Sequence, residues 1–176
     1  MHIYYASRDG HSRRIAERIA ARLVEAGIAA QPVNLASPIP EDAASPVIVV
    51  VAAVRYGRHL AEADRFLMRH ANRPSAAPLV LLSVNLTARK PGKASPEGNP
   101  YLRKIIRRRR LKPVLAAAIA GRLDYPRYHW FDRMMIRFIM LLTGGPTDPG
   151  VRVEFTDWDQ VDGLARRIAG LCSKRD

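Results

Sequence analysis

Cysteine is nearly absent from these 176 residues: Cys172 stands alone. A single thiol rules out an internal disulfide, and no Cys/His group has zinc-binding spacing, so no metal is expected. Lysine is scarce too, supplying five of the 29 basic residues against 16 acidic ones. The net +13 is therefore an arginine charge, suited to carboxylates, phosphates, nucleic acid or anionic lipid headgroups. No run of about 18 apolar residues occurs, so no segment is expected to cross a bilayer. The opening residues lack the basic-then-apolar order of an export signal, which predicts a cytoplasmic chain with membrane-surface attachment left open. At 48% hydrophobic and 26% charged, the composition is that of an ordinary folded domain, and the length fits one.

What is present is an alternation of apolar strands and amphipathic helices. His2 to Ala6 predicts a strand, and Arg13 to Ala26 a helix with Ile15, Ile19 and Leu23 on one face. Ile28 to Leu35 predicts a second strand, and the proline-rich Ala36 to Pro46 a loop or a poor helix. Pro46 to Ala53 is the strongest strand, apolar without interruption and so covered on both faces. Helices at Leu60 to Asn72 and Pro100 to Arg110 flank a buried strand at Ala77 to Val84. A last strand, Val114 to Ala120, precedes a terminal helix from Asp159 to Cys172. This pattern predicts one α/β domain over residues 1–176, a three-layer sandwich around a five-stranded parallel sheet in the flavodoxin-like order 2-1-3-4-5. A segment at about 122–154 is inserted before the last helix. In that order ligands sit beyond the C-terminal ends of strands 1, 3 and 4.

Three loops occupy those ends. Ser7-Arg8-Asp9-Gly10-His11-Ser12 joins the first strand to the first helix, where free N–H groups and the helix dipole favour an anion. It lacks dinucleotide glycines and the Gly-Lys-Ser/Thr of a triphosphate loop, but its hydroxyls suit a monophosphate. Taken alone it fits an ordinary strand–helix turn equally well. Asp9 is repulsive to a phosphate unless Arg8 or Arg13 compensates. Val54 to His59 contains Arg55-Tyr56-Gly57, whose aromatic suits stacking on a flat ring, although a packed loop tyrosine is the plainer reading. Ala53-Val54 stands where a phospho-acceptor receiver needs aspartate, which excludes that chemistry. Asn85 to Lys90, directly after Ser83-Val84 at the end of the fourth strand, forms the third loop and contains Leu86 and Arg89.

Two features are unusual for so small a fold. Arg103 to Lys112 is rich in arginine; a solvated helix face is the default. No aromatic interleaving accompanies it, so an anionic membrane surface is expected rather than nucleic acid. Tyr128 to Leu142 predicts a helix too short to span a bilayer and apolar around most of its circumference. It suits either a bilayer interface or a greasy ligand, or else a buried core position.

These residues resemble the flavodoxin-type, quinone-dependent protoporphyrinogen IX dehydrogenases nearly end to end. The resemblance rests on Ser7-Arg8-Asp9-Gly10, Arg55-Tyr56-Gly57, Ser83-Val84-Asn85-Leu86 with Ala88-Arg89-Lys90-Pro91, Tyr125-Pro126-Arg127-Tyr128, Gly144-Gly145 and Phe155-Thr156-Asp157-Trp158. Ala53 and Asp124 depart from the family pattern, where serine and a basic residue are more usual. The resemblance implies an oxidoreductase of haem biosynthesis acting on CH–CH groups, with FMN as cofactor and menaquinone or ubiquinone as acceptor. It implies FMN contacts at Ser7, Arg8, Asp9, Gly10, His11, Ser12, Arg55, Tyr56, Gly57, Ser83, Val84, Asn85, Leu86 and Arg89. The substrate propionates then fall to Arg89, Arg122, Arg127 or Arg133. Peripheral attachment to the inner face of the cell membrane follows, through Tyr128–Leu142 and Arg103–Lys112; a homo-oligomer is left open. Two other readings stay open: a flavodoxin-like FMN electron carrier or general quinone reductase, and a flavin-free module binding nucleic acid or membrane. Soluble flavodoxins are usually acidic, and +13 weighs against the first.

Overall fold

The chain alternates strand and helix from its second residue, and the reason is visible in the side chains each strand sends to its two faces. A computed structural model describes residues 1–39, 45–73, 77–124, 130, 134, 141, 148, 150 and 152–173. Strands β1 (His2–Ala6), β2 (Gln31–Asn34), β3 (Ile48–Arg55), β5 (Leu79–Asn85) and β6 (Leu115–Ala120) form a parallel sheet in the order β2-β1-β3-β5-β6. The short β4 (Arg58–His59) folds back antiparallel on β3. With that hairpin set aside, the order is the expected 2-1-3-4-5.

Alternation within the strands builds two cores. Val49 and Val51 of β3, with Val80 and Leu82 of β5, pack under α1 (His11–Glu25) and α4 (Trp158–Cys172). Val50 and Ala52, with Leu79 and Leu81, pack under α2 (Ala61–Ala71) and α3 (Pro100–Arg109). This two-sided burial explains the unbroken apolar run of β3, since each fully buried Leu or Ile contributes about 1.5–3 kcal/mol. Helix α1 turns Ile15, Ile19 and Leu23 inward, all fully buried. Its outer face is tied to α4 by Asp162, which accepts from Arg18 Nε and Nη2 at 2.7 and 2.8 Å and from Arg22 Nη2 at 2.8 Å.

The Arg18 and Arg22 guanidiniums hold the Asp162 carboxyl well below the usual carboxylate range. Its stabilising effect is therefore present above the ordinary carboxylate pKa of about 4 and is lost as pH falls through the lowered folded value. All three side chains are partly solvent-exposed, so screening limits the effect. Asp162→Asn is expected to lower the thermal midpoint at pH 7 by about 2 °C, and the gap to wild type should close under acid conditions.

Beyond β6 the sheet gives way to a separate two-stranded ribbon that the sequence pattern does not announce. Strand β7 (Arg122–Asp124) pairs antiparallel with β8 (Arg152–Glu154), joining Arg122 to Glu154 and Asp124 to Arg152. The ribbon thus brings together the two ends of the inserted segment. Of the helix predicted at Tyr128–Leu142, only Trp130, Met134 and Leu141 are described. Each is helical and exposed, at 72%, 62% and 70%. Arg127 and Arg133 lie outside the described residues. Among the described residues no helix is long and apolar enough to cross a membrane.

Candidate functional site

A cleft of about 660 Å³ opens at the C-terminal edge of the sheet, within the range of about 300–1,000 Å³ usual for small-molecule sites. It lies where the chain order reverses between β1 and β3, the switch point of such sheets. The β1–α1 loop forms one end. Gly10 holds φ +83°, a left-handed conformation that favours glycine, and starts α1 without a side-chain cap. No acidic residue stands in the first turn, so the helix-start N–H groups are presented to the cleft with the helix dipole behind them. Ser7 lines the wall beside them, as does Ser12, which is almost wholly buried.

At the other end the strand β3 runs further than its apolar pattern suggests. It continues through Val54 to Arg55 and then reverses in two residues into β4, where the sequence pattern predicts a loop. Tyr56 and Gly57 both have positive φ, at 51° and 72°, which is the turn geometry that matches the twist of paired strands. A tyrosine in this conformation is strained, and such outliers gather at functional sites. Tyr56 is 53% exposed on the cleft wall, with the Arg55 guanidinium 5.6 Å from its ring centre. A ring so placed offers a stacking face.

The third wall is the turn after β5. Asn85 Oδ1 accepts from Ala88 N at 3.1 Å and so caps the 3-10 helix Leu86–Arg89. Arg89 donates to the Leu86 carbonyl at 2.8 Å and lies over the Phe155 ring. Behind this turn stand the buried polar side chains of Ser83, Asn85 and Asn99, with the partly buried His59 bonded to Ser83. Burial lowers the pKa of His59 to about 4, which keeps it neutral at ordinary pH, despite the opposing charge of Asp64.

Seven cationic and three acidic side chains line the cleft, and each acid is matched by an arginine. Asp9 meets Arg55 at 2.8 Å, Glu17 meets Arg13 at 2.7 Å, and Asp124 meets Arg122 at 2.8 Å. The compensation expected for Asp9 from Arg8 or Arg13 thus comes from Arg55, on the neighbouring loop, while Arg13 is engaged by Glu17. At the base of the inserted segment, Thr156 donates its only hydroxyl proton to the Ala120 carbonyl at 2.7 Å. His11 Nε2, 2.6 Å from that hydroxyl, must therefore be the donor. Burial lowers the His11 pKa, favouring this neutral form.

Of the expected contact residues, Ser7, Arg8, Asp9, Gly10, His11, Ser12, Arg55, Tyr56, Gly57, Val84, Asn85, Leu86, Arg89 and Arg122 all line the cleft. Ser83 does not. It is fully buried and bonded to His59 at 2.8 Å, so any influence it has on the cleft passes through Asn85. Thr87 and Lys90, within the expected Asn85–Lys90 loop, line the walls too, as do Tyr101 and Leu60, which the sequence pattern does not single out. The signal for Tyr101 and Leu60 was available: helices that follow parallel strands begin at the same sheet edge as α1 does, so their first residues face the same cleft. Among the described residues no cluster suits a metal ion.

An α/β sheet with an anion seat and an aromatic wall at its switch point defines a flavin-binding protein of the flavodoxin type. The flavodoxin domain family matches residues 2–150. The fold is also that of an archaeal flavodoxin, at 14% identity over 98% of this chain and 99% of that one, with a TM-score of 0.53. A TM-score of 0.58 relates it to the rubredoxin oxygen:oxidoreductase of Desulfovibrio gigas, at 12% identity over 98% of this chain but 36% of that one. These two likenesses speak to the fold alone. A protoporphyrinogen IX dehydrogenase (quinone) of Escherichia coli (strain K12) is 42% identical over 98% of this chain and 96% of its own length. A protein of the same name from Leishmania major is 36% identical over 95% of this chain and 73% of its own. The chain belongs to the quinone-dependent protoporphyrinogen IX dehydrogenase family.

Proposed function

We propose that this chain oxidises protoporphyrinogen IX to protoporphyrin IX and passes the electrons to a quinone, with FMN seated in the switch-point cleft. The observation that carries the reading is the 42% identity to a protoporphyrinogen IX dehydrogenase (quinone) over 98% of the chain, inserted segment included. The site fits FMN in kind. One uncapped helix start with Ser7 and Ser12 suits a single phosphate, and the absence of dinucleotide glycines disfavours a longer cofactor. When bound, FMN supplies two-electron oxidation of the substrate's methylene bridges.

The protein's part is position and charge. The β1–α1 loop holds the phosphate, and the ring lies between the Tyr56 hairpin and the Leu86–Arg89 turn. Arg55 neutralises Asp9, which removes the repulsion a carboxylate would otherwise exert on the phosphate. Arg89 and Arg122, both on the cleft wall, supply the cationic contacts for substrate propionates, together with Arg127 and Arg133.

Peripheral attachment to a membrane fits this substrate pair, since porphyrinogen and quinone are both poorly soluble. Trp130, Met134 and Leu141 are each helical and exposed, and their spacing of four and seven is that of one face of a helix. On α3, Arg103, Lys104, Arg107 and Arg108 face solvent, while Arg109 turns inward to Asp64 at 2.6 Å. An apolar helix face and a basic helix face suit an anionic bilayer interface.

The test is anaerobic. Purified protein mixed with protoporphyrinogen IX and a quinone is expected to generate porphyrin fluorescence, with three quinones reduced per porphyrin formed. Porphyrin appearing only at the rate without protein would overturn the reading.

A further inference from the structure

A string of hydrogen-bonded polar side chains, buried except for the partly buried His59, links three separate pieces of the cleft wall. His59, on β4, lies in the return strand of the hairpin whose turn carries Tyr56. Its Nε2 lies 2.8 Å from Ser83 Oγ, and Ser83 Oγ accepts from Asn85 Nδ2 at 3.2 Å. Asn85 Oδ1 accepts from Ala88 N at 3.1 Å and from Asn99 Nδ2 at 3.0 Å. Asn99 Oδ1 in turn accepts from Leu102 N at 3.1 Å, capping α3 two residues before Tyr101.

The direction of the string follows from what each atom is able to do. Asn85 Oδ1 takes two donors, so its amide nitrogen is the end facing Ser83. That contact uses Ser83 as an acceptor and leaves the hydroxyl proton, which is fully buried, in need of a partner. His59 Nε2 is the acceptor in range. The imidazole therefore carries its proton on Nδ1 and is neutral. Its surroundings agree: the facing charge is Asp64 on α2, itself engaged by Arg108 and Arg109 of α3.

We propose that His59 is a positioning residue that, as a neutral acceptor for Ser83, holds Asn85, the Leu86–Arg89 turn and Tyr101 in the geometry that grips the ring end of the flavin. His59 acts through Ser83 and Asn85, from behind the cleft wall. The inference rests on the FMN reading for its ligand, and on the hydrogen-bond string for its mechanism.

Three measurements test it, two of them without cofactor. In apoprotein, the ring ¹⁵N shifts of His59 are expected to show a proton on Nδ1 and none on Nε2 at pH 7. Hydrogen exchange at Ala88 N–H should be slow in wild type and in His59→Gln, which keeps an acceptor, and fast in His59→Leu, which does not. In FMN titrations followed by flavin fluorescence quenching, His59→Leu is expected to bind about tenfold more weakly, the scale of one unsatisfied buried hydrogen bond. His59→Gln should recover most of that loss. A proton on Nε2, or wild-type Ala88 exchange and FMN affinity in His59→Leu, would overturn the proposal. If wild-type protein fails to bind FMN, the cofactor reading falls, and the tautomer and the Ala88 exchange still decide the string.

Discussion

Replacing Asn85 with leucine is expected to yield a protein that purifies without flavin and unfolds at a markedly lower temperature. Asn85 is 5% exposed and sits at the junction of β5, the Leu86–Arg89 turn and the start of α3. Its carbonyl oxygen satisfies the Ala88 N–H and one proton of the Asn99 amide, while its own amide donates to Ser83. Leucine is close in size, so the loss is one of hydrogen bonding rather than of volume. It leaves the Ala88 and Asn99 donors buried without that partner, each at a cost of about 1–3 kcal/mol. Together these come to about 3–4 kcal/mol, a midpoint drop of about 6–16 °C for a chain of this length. Flavin binding suffers with it, because the uncapped turn carries Arg89 and Leu86 on the cleft wall. Asn85→Asp keeps the acceptor oxygen and is expected to fall between the two. Thermal denaturation and the 450 nm flavin absorbance of purified protein measure both effects. An Asn85→Leu protein that keeps its flavin and its wild-type midpoint would show that the turn is held by something else.

The contrast between Asn85 and its neighbour Ser83 shows what sequence makes legible here. Both belong to one motif, and both were expected at the cofactor. The two share a face of β5, but Asn85 ends the strand at the cleft edge, whereas Ser83 lies two residues back, fully buried and bonded to His59. The large features came through because they are local. The unbroken apolar run of β3, the helical spacing of Ile15, Ile19 and Leu23, and the loops at the strand ends each depend on a few consecutive residues. The β3–β4 hairpin did not come through, because Tyr-Gly is an uncommon choice for a turn that usually carries Asn-Gly or Asp-Gly. The β7–β8 ribbon was invisible for another reason: three-residue strands give no periodicity, and their partners lie about 30 positions apart. Long-range ion pairs such as Asp9–Arg55 and the Asp162 clamp were likewise beyond any local reading.

Removing residues 128–142, with a short Gly-Ser bridge in their place, is expected to leave flavin bound and to abolish quinone-dependent porphyrin formation. The cleft should survive because the ties that close the base of the inserted segment lie outside the deletion. The ribbon pairs residues 122–124 with 152–154, and Phe155 N donates to the Gly121 carbonyl at 3.2 Å. Thr156 bonds the Ala120 carbonyl, and Glu154 is held by Arg14 at 3.0 Å and by Trp158 Nε1 at 2.7 Å. These contacts fasten the segment's ends to the sheet edge and to α1, whatever lies between. What the deletion removes is the exposed face of Trp130, Met134 and Leu141, apolar surface that a bilayer interface would cover. A companion variant with glutamate at those three positions keeps the chain length. Exposed substitutions of this kind cost little stability, within about 0.5 kcal/mol each, so a loss of turnover there reports on the face itself. Both variants are compared with wild type for flavin content and for porphyrin formation with a quinone in anionic vesicles. Unchanged quinone-dependent activity in the deletion would remove the inserted segment from the reaction, and full activity in the glutamate variant would remove its apolar face.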